Sequence, residues 1–509
     1  MEYVGTVCAV AAWLGLSYAL AFRAAPWAFA RVMRAIGRPL RFSPVLRRRA
    51  ARFRQIRRGY WSYIVITTLF TASLFLELTV SEKALYVRCG DRWAMPAVMH
   101  WLDTTVPFVQ FRYFQRASDF GLASDSQLDY RAFARLCDDP GSIAADLAAR
   151  RGRLAREVAA LGAPPPAPRA PVAPVEPAPG ASAAEVSRYK DALFEFEMNL
   201  EDYERARPQI EAKHASALEL YTLKGRALDT QRDDIARIEA SYERFTSGAA
   251  SIVMPLYPYG PDERLLSEFP DERPPIPPRL AHPLGLTDNA ADVLCQVLYG
   301  FRIAMVFALI VAGLGFAIGI LVGGAMGYYG GWVDILVQRF IEIWGSIPFL
   351  FTMMILASII KPGLLVLAFM MLILRSWMGI TYLIRGEFYR EKARDYVQAA
   401  KSIGVSDWTI ITKHILPNSL VPVVTSAPFA IVAYIGSLVS LDFLGFGLKP
   451  GTPSWGYLLQ QGKTHVGHMP NFFLIVVPSA VFAGTLFLVV MIGEAVREGF
   501  DPKVFSRLR

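Results

Sequence analysis

Charge is what this 509-residue sequence has little of: Asp, Glu, Lys and Arg make up 19% of it against 53% hydrophobic residues, and the mean hydropathy is +0.32. Ordinary soluble domains are about 25% charged, so a simple cytosolic enzyme is excluded. Cysteine is scarcer still. Cys8, Cys89, Cys137 and Cys295 form no CxxC and no Cys/His cluster, which excludes the common zinc and redox sites. Cys89 and Cys137 can pair only in an oxidising compartment, with free buried thiols as the alternative. Six histidines are scattered, and HExxH and GxSxG do not occur. Gly462-Lys463-Thr464 fails as a phosphate loop, because Tyr457 stands where the first glycine of GxxxxGK[ST] belongs. No catalytic residue, cofactor or metal site is expected, so any energy source must be a partner chain.

Acidic residues are absent from Arg23–Arg58, which holds twelve arginines. A nucleic-acid-binding arm is one reading of such a run. Its place between two apolar runs favours retention on the cytoplasmic side of a membrane. By contrast, residues 81–300 carry 25 Lys+Arg against 32 Asp+Glu and read as an aqueous region.

A helix crosses a bilayer core with about 20 apolar residues. Candidate spans are Tyr3–Phe22, Tyr60–Val80, Phe301–Ala325, Phe340–Ile360, Leu364–Ile384, Leu420–Leu441 and Phe472–Gly493. Tyr3–Phe22 lacks the positive start of a signal peptide and reads as an anchor entering from outside. With residues 23–59 inside, residues 60–80 exit and 81–300 lie outside. The remaining five spans of 301–509 then alternate, leaving a loop at 385–418 and the basic C-terminus in the cytoplasm. Gly315, Gly319, Gly323 and Gly327 mark one helix face for close approach of a neighbour. Pro348 and Pro428 predict kinks. Arg375 falls near the middle of a span, where an ionisable group points to a water-filled path or a buried ion pair. Arg339 and Glu342 are spaced for a local ion pair.

Within 81–300, residues 163–181 hold eight prolines and suggest an extended spacer. Tyr189, Leu193, Phe196, Leu200 and Tyr203 recur at alternating steps of four and three, as in a coiled coil. Helices over 185–245 are expected to pair as a hairpin, broken at Pro208 and Gly225. A docking element for an outer partner and a passive spacer are both open readings.

The most informative stretch is Asp395–Asn418, DYVQAAKSIGVSDWTIITKHILPN. Ala399 and Ala400 make a slim helical knob. Gly404 permits a tight reversal, and Leu416-Pro417 closes the pattern. A loop this charged between membrane spans is expected to have no core of its own, and so to fit a groove on another protein. It resembles the EAA loop of ABC-importer permeases, with Gln398 where that family usually has glutamate and His414 where it has isoleucine. Asp442 to Leu448, followed by Pro453-Ser454-Trp455-Gly456, is similar to the outer signature of the peptide branch. So are Gly327-Tyr328-Tyr329-Gly330-Gly331 with Asp334, and Gly493 to Arg497 with Phe500-Asp501-Pro502. Arg57 to Ser62 resembles the start of Yej-type permeases, relatives of the DppC and OppC kind.

The resemblance implies an all-α type I transmembrane domain in a bacterial inner membrane, with a large helical insertion outside. It implies a non-catalytic peptide-import subunit, with a second permease, two ATPases and a solute-binding protein as partners. Gln398, Ala399, Ala400, Gly404, Leu416 and Pro417 would contact the ATPases. A membrane-anchored coiled-coil scaffold or sensor is the alternative, but it leaves five spans and the loop unexplained. A secondary transporter would show inverted repeats and acids within spans.

Overall fold

The computed structural model describes residues 2–35, 44–105, 128–175, 183–269, 272–467 and 471–500. It divides into two compact units, one comprising Met1–Lys83, His100–Thr105 and Pro255–Arg509, the other Ala84–Met99 and Val106–Met254. Residues 255–300 thus group with the long apolar helices of the first unit, and the second unit ends at Met254.

In the first unit, the longest apolar helix is Val293–Tyr329. It begins ahead of Phe301 because the Asp292 side chain caps it, accepting from the Cys295 amide at 3.0 Å. It ends where Gly330 takes a φ of +66°. Val421–Phe443 and Phe473–Phe500 are likewise long and apolar enough to cross a membrane, as is Cys8–Arg31 near the N-terminus. Pro428 sits inside Val421–Phe443 without interrupting it. The N-terminal helix does not stop at Phe22. It continues through a π-helical turn at Leu20–Ala24 into Ala25–Ala35, and Phe22 meets the ring of Tyr63 at 5.6 Å.

Three expected spans are built differently. Tyr60–Val80 is not one helix: Arg57–Ser73 ends, and Leu76–Thr79 follows as a separate turn. That turn carries Glu77 inward to an ion pair with Arg302 at 2.8 Å. Phe340–Ile360 is two helices, Gly331–Gly345 and Phe349–Ile360, bent by 70° where Pro348 prevents continuation. Leu364–Ile384 divides into Leu364–Ser376 and Met378–Lys392, bent by 45°. Its middle, Leu372–Ser376, is a π-helical turn, a feature common at functional sites.

The second unit is also mainly helical, but a small sheet departs from the all-helical expectation. Tyr86–Cys89 is its central strand, antiparallel to Arg92–Ala94 and to Ala250–Val253. Val87 and Cys89 point into a core with Phe133, Leu147, Ile235 and Phe245. Ala183–Thr246 is one 64-residue helix, so the break at Pro208 and Gly225 and the hairpin within 185–245 are corrected. Two i,i+4 ion pairs, Arg205–Glu201 and Arg207–Glu211, flank Pro208 on an exposed stretch. The hairpin instead joins Gly141–Leu161 to the second half of the long helix, with Arg151 reaching Glu239. Residues 163–175 return without regular structure beside that helix, where the His214 ring lies 3.3 Å from the Pro165 carbonyl. The rest of the proline-rich spacer, 176–181, lies outside the described residues. Cys89 and Cys137 share the core as free thiols. Burial, with Asp138 and Cys89 adding, pushes Cys137 up to about 11.

Candidate functional site

The Asp395–Asn418 loop is a packed element with an exposed tip. Arg394 in extended backbone starts the helix Asp395–Ser402. Buried Glu391 anchors its first turn by accepting the Tyr396 hydroxyl at 2.6 Å. The expectation that this loop has no core is corrected. Val397, Ala400, Ile410 and Ile415 are buried together with Ile384 and Phe388 of the preceding membrane helix. The alanine pair therefore splits, Ala400 facing inward and Ala399 outward. Gln398 is exposed, but its amide donates to the Lys392 carbonyl at 2.8 Å.

Gly404 has a φ of +79° with open space where a side chain would be, a conformation that only glycine adopts cheaply. Two large apolar side chains near this turn are left in the open, Ile403 at 80% and Trp408 at 71% exposure. Neither belongs to the small-residue pattern that marks the loop, although an isoleucine immediately before the reversal glycine is a visible signal. Leu416 is half-buried against the same cluster, and Pro417 is exposed at the start of Leu416–Ser419. The base is held to the end of the Val293–Tyr329 helix by Lys392 on the Tyr328 carbonyl and by Tyr328 on Asp407.

The glycine face of that helix lies against residues 376–388. A Cβ at Gly315 would meet Ser376 Oγ at 2.7 Å, and one at Gly319 would meet the Trp377 carbonyl at 2.8 Å. A Cβ at Gly323 would run into the Thr381 carbonyl, and one at Gly327 would meet the Arg385 carbonyl at 2.8 Å. Backbone approaches this close require residues without side chains. Asp334 clamps the same helix from another side, accepting from Arg385 Nη2 at 2.6 Å and from the Tyr389 hydroxyl at 2.8 Å.

A cavity of about 830 Å³ opens beside the two broken spans. Its wall combines the end of Gly331–Gly345, the π-helical turn, the start of Met378–Lys392 and the middle of Val421–Phe443. Arg375 is exposed into it. Among the described residues it has no carboxylate partner, and its nearest aromatic contact is the Phe349 ring at 5.8 Å. The sequence leaves a water-filled path or a buried ion pair open for Arg375, and no such ion pair is present among the described residues. Arg339 and Glu342 do form their pair, at 2.7 Å, and Glu342 also lines the cavity.

On the outer signature, Asp442 accepts from the Leu448 amide at 2.7 Å and from Ser454. Trp455 is fully buried, donating to the Val297 carbonyl at 3.1 Å. These residues fold the loop rather than offer a ligand site. Asp501 and Pro502 lie outside the described residues. Among the described residues, no three His, Cys, Asp or Glu side chains gather as a metal site requires.

A family model described as "Binding-protein-dependent transport system inner membrane component" matches residues 315–506. An inner membrane ABC transporter permease protein, YejE of Escherichia coli, is 32% identical over 91% of this chain and 98% of its own length. The peptidoglycan transport system permease protein YejE of Agrobacterium fabrum is 42% identical over 43% of this chain, and the match spans 57% of that relative. A chain of the methionine ABC transporter MetNI, solved in an inward-facing conformation, aligns with 40% of this chain and 97% of its own at 18% identity and a TM-score of 0.32.

Proposed function

From the premise that this chain belongs to the family of binding-protein-dependent ABC-importer permeases, as a multi-pass bacterial inner-membrane protein, we propose that it forms half of a path for short peptides and couples that path to ATPases. The observation that carries the coupling is the Gly404 turn, an apolar tip of Ile403 and Trp408 on a buried base. Such a tip is exposed at a cost in water and fits a groove on a partner chain. Peptide cargo is supported by relatives named for dipeptide and oligopeptide transport.

In this reading the loop faces the cytoplasm, and ATP binding to the partner ATPases favours one loop position over another. The rigid base passes that shift to the helices it is packed on. A second permease supplies the other half of the path, and a solute-binding protein delivers cargo from outside. The unit containing residues 128–254 lies on that outer side and assists delivery. A scaffold or sensor would need neither the cavity nor the docked loop.

Affinity purification in mild detergent tests the coupling. The wild-type chain is expected to bring down an ATPase pair and a second permease. Gly404→Pro and Ile403→Asp are each expected to lose the ATPases while keeping the second permease, which shows that the fold survives. ATPases retained by both variants would overturn the assignment.

A further inference from the structure

The cavity at Arg375 has a charge pattern that names its occupant more closely, on the reading just given. Its volume of about 830 Å³ lies within the roughly 300–1,000 Å³ of small-molecule sites. Two charged side chains line it, Arg375 and Glu342. Apart from that of Tyr382, the hydroxyls around them donate to carbonyls within the chain. Ser346 donates to the Ile343 carbonyl at 2.7 Å, Ser437 to that of Ala433 at 2.9 Å, and Tyr434 to that of Ser376 at 3.1 Å. Arg375 is different, since no acidic group among the described residues answers it.

The turn that carries Arg375 is built, not accidental. The Ile373 carbonyl accepts from the indole of Trp344 at 3.1 Å and from that of Trp377 at 3.2 Å. This fixes the π-helical turn that carries Arg375 to the broken helix opposite. A cation held at membrane depth without a counter-ion is costly. A carboxylate arriving with the cargo relieves that cost through paired N–H···O bonds.

We propose that Arg375 binds the terminal carboxylate of a short peptide in transit, while Glu342 receives its amino terminus. The free carboxylate is the one anion that all unmodified peptides share, so this contact selects for peptides without fixing their sequence. Glu342 is the weaker pole, because Arg339 and Gln338 already bond to it at 2.7 and 2.9 Å.

The test uses the complete transporter in liposomes, with trialanine, trialanine amide and N-acetyl-trialanine as cargo. Binding-protein affinity for each is measured separately and used to normalise uptake. Arg375→Ala is expected to cut uptake of free trialanine roughly ten- to a hundred-fold and to leave the slow uptake of the amide unchanged. Arg375→Lys should retain part of the preference. Glu342→Gln should narrow the difference between free and N-acetyl peptide by a smaller factor. Equal losses for free and amidated peptide would overturn the proposal. So would loss of the second permease from both Arg375 variants, which would assign the guanidinium to the partner chain. Wild-type particles that import both forms equally overturn this inference alone, whereas particles that import neither overturn the peptide-transport reading beneath it.

Discussion

Gly323 and Gly225 are the same residue in two helices, and they do opposite things. At Gly323 an added Cβ would run into the Thr381 backbone oxygen of the neighbouring helix. At Gly225 nothing lies within 4 Å. In the membrane unit, helices cannot be driven together by burying apolar surface, because lipid is as apolar as they are. Close backbone approach through small residues does that work. In the other unit, the stripe of Ile235, Ile238, Tyr242 and Phe245 meets a water-driven core, and Gly225 is only a weak point in an exposed helix. Glycine periodicity is therefore architecture in one unit and a tolerated flaw in the other.

Substitution at Gly323 gives the largest expected effect. Gly323→Leu should leave little folded protein, read as loss of the monodisperse peak in size-exclusion chromatography; a normal peak would mean the glycine face is not a packing seam. Next, Arg385→Ala leaves Asp334 with only Tyr389, at a cost on the order of 3 kcal/mol and a lower melting temperature by scanning fluorimetry. Shortening the hairpin between Arg156 and Gly225 keeps the Phe133–Phe245 core. It should preserve purification of ATPases and lower uptake severalfold, and unchanged uptake would make the hairpin a spacer. Gly225→Ala, by contrast with Gly323, should stabilise by about 1 kcal/mol.

The smallest effect concerns pH. Burial, with the nearby charge of Lys83 adding, holds His100 below its usual value. A base depressed on folding contributes stability that is full above its unfolded value near 6.5 and is lost as pH falls through the folded one. His100→Gln should therefore reduce the fall in melting temperature between pH 7.5 and 5.5 by a degree or two, whereas an unaltered fall would mean His100 is not what titrates.

The parts of this molecule legible in its sequence were those governed by local pattern. Apolar runs placed the long helices, and the spacing of Ala399, Ala400 and Gly404 located the loop. The missed features depend on partners far along the chain. The π-helical turn at Arg375 carries no glycine or proline, and it is tied down by Trp344, 29 residues before Ile373. The break before Phe349 is legible only as a kink, since Pro348 alone does not set a 70° bend. Glu77 ended a span because Arg302, 225 residues later, was waiting for it. Pro208 misled in the other direction: an exposed helix long enough to spread the loss of one hydrogen bond carried it through.

The proposed coupling has the Ile403–Trp408 tip docked into a motor subunit. A photo-crosslinking amino acid placed at Trp408 in the assembled membrane particle measures this most directly. Docking should give a nucleotide-dependent crosslink to an ATPase chain and protect the tip from reagents added outside the cell. A tip labelled from outside, or one crosslinking only to lipid in every nucleotide state, would contradict it.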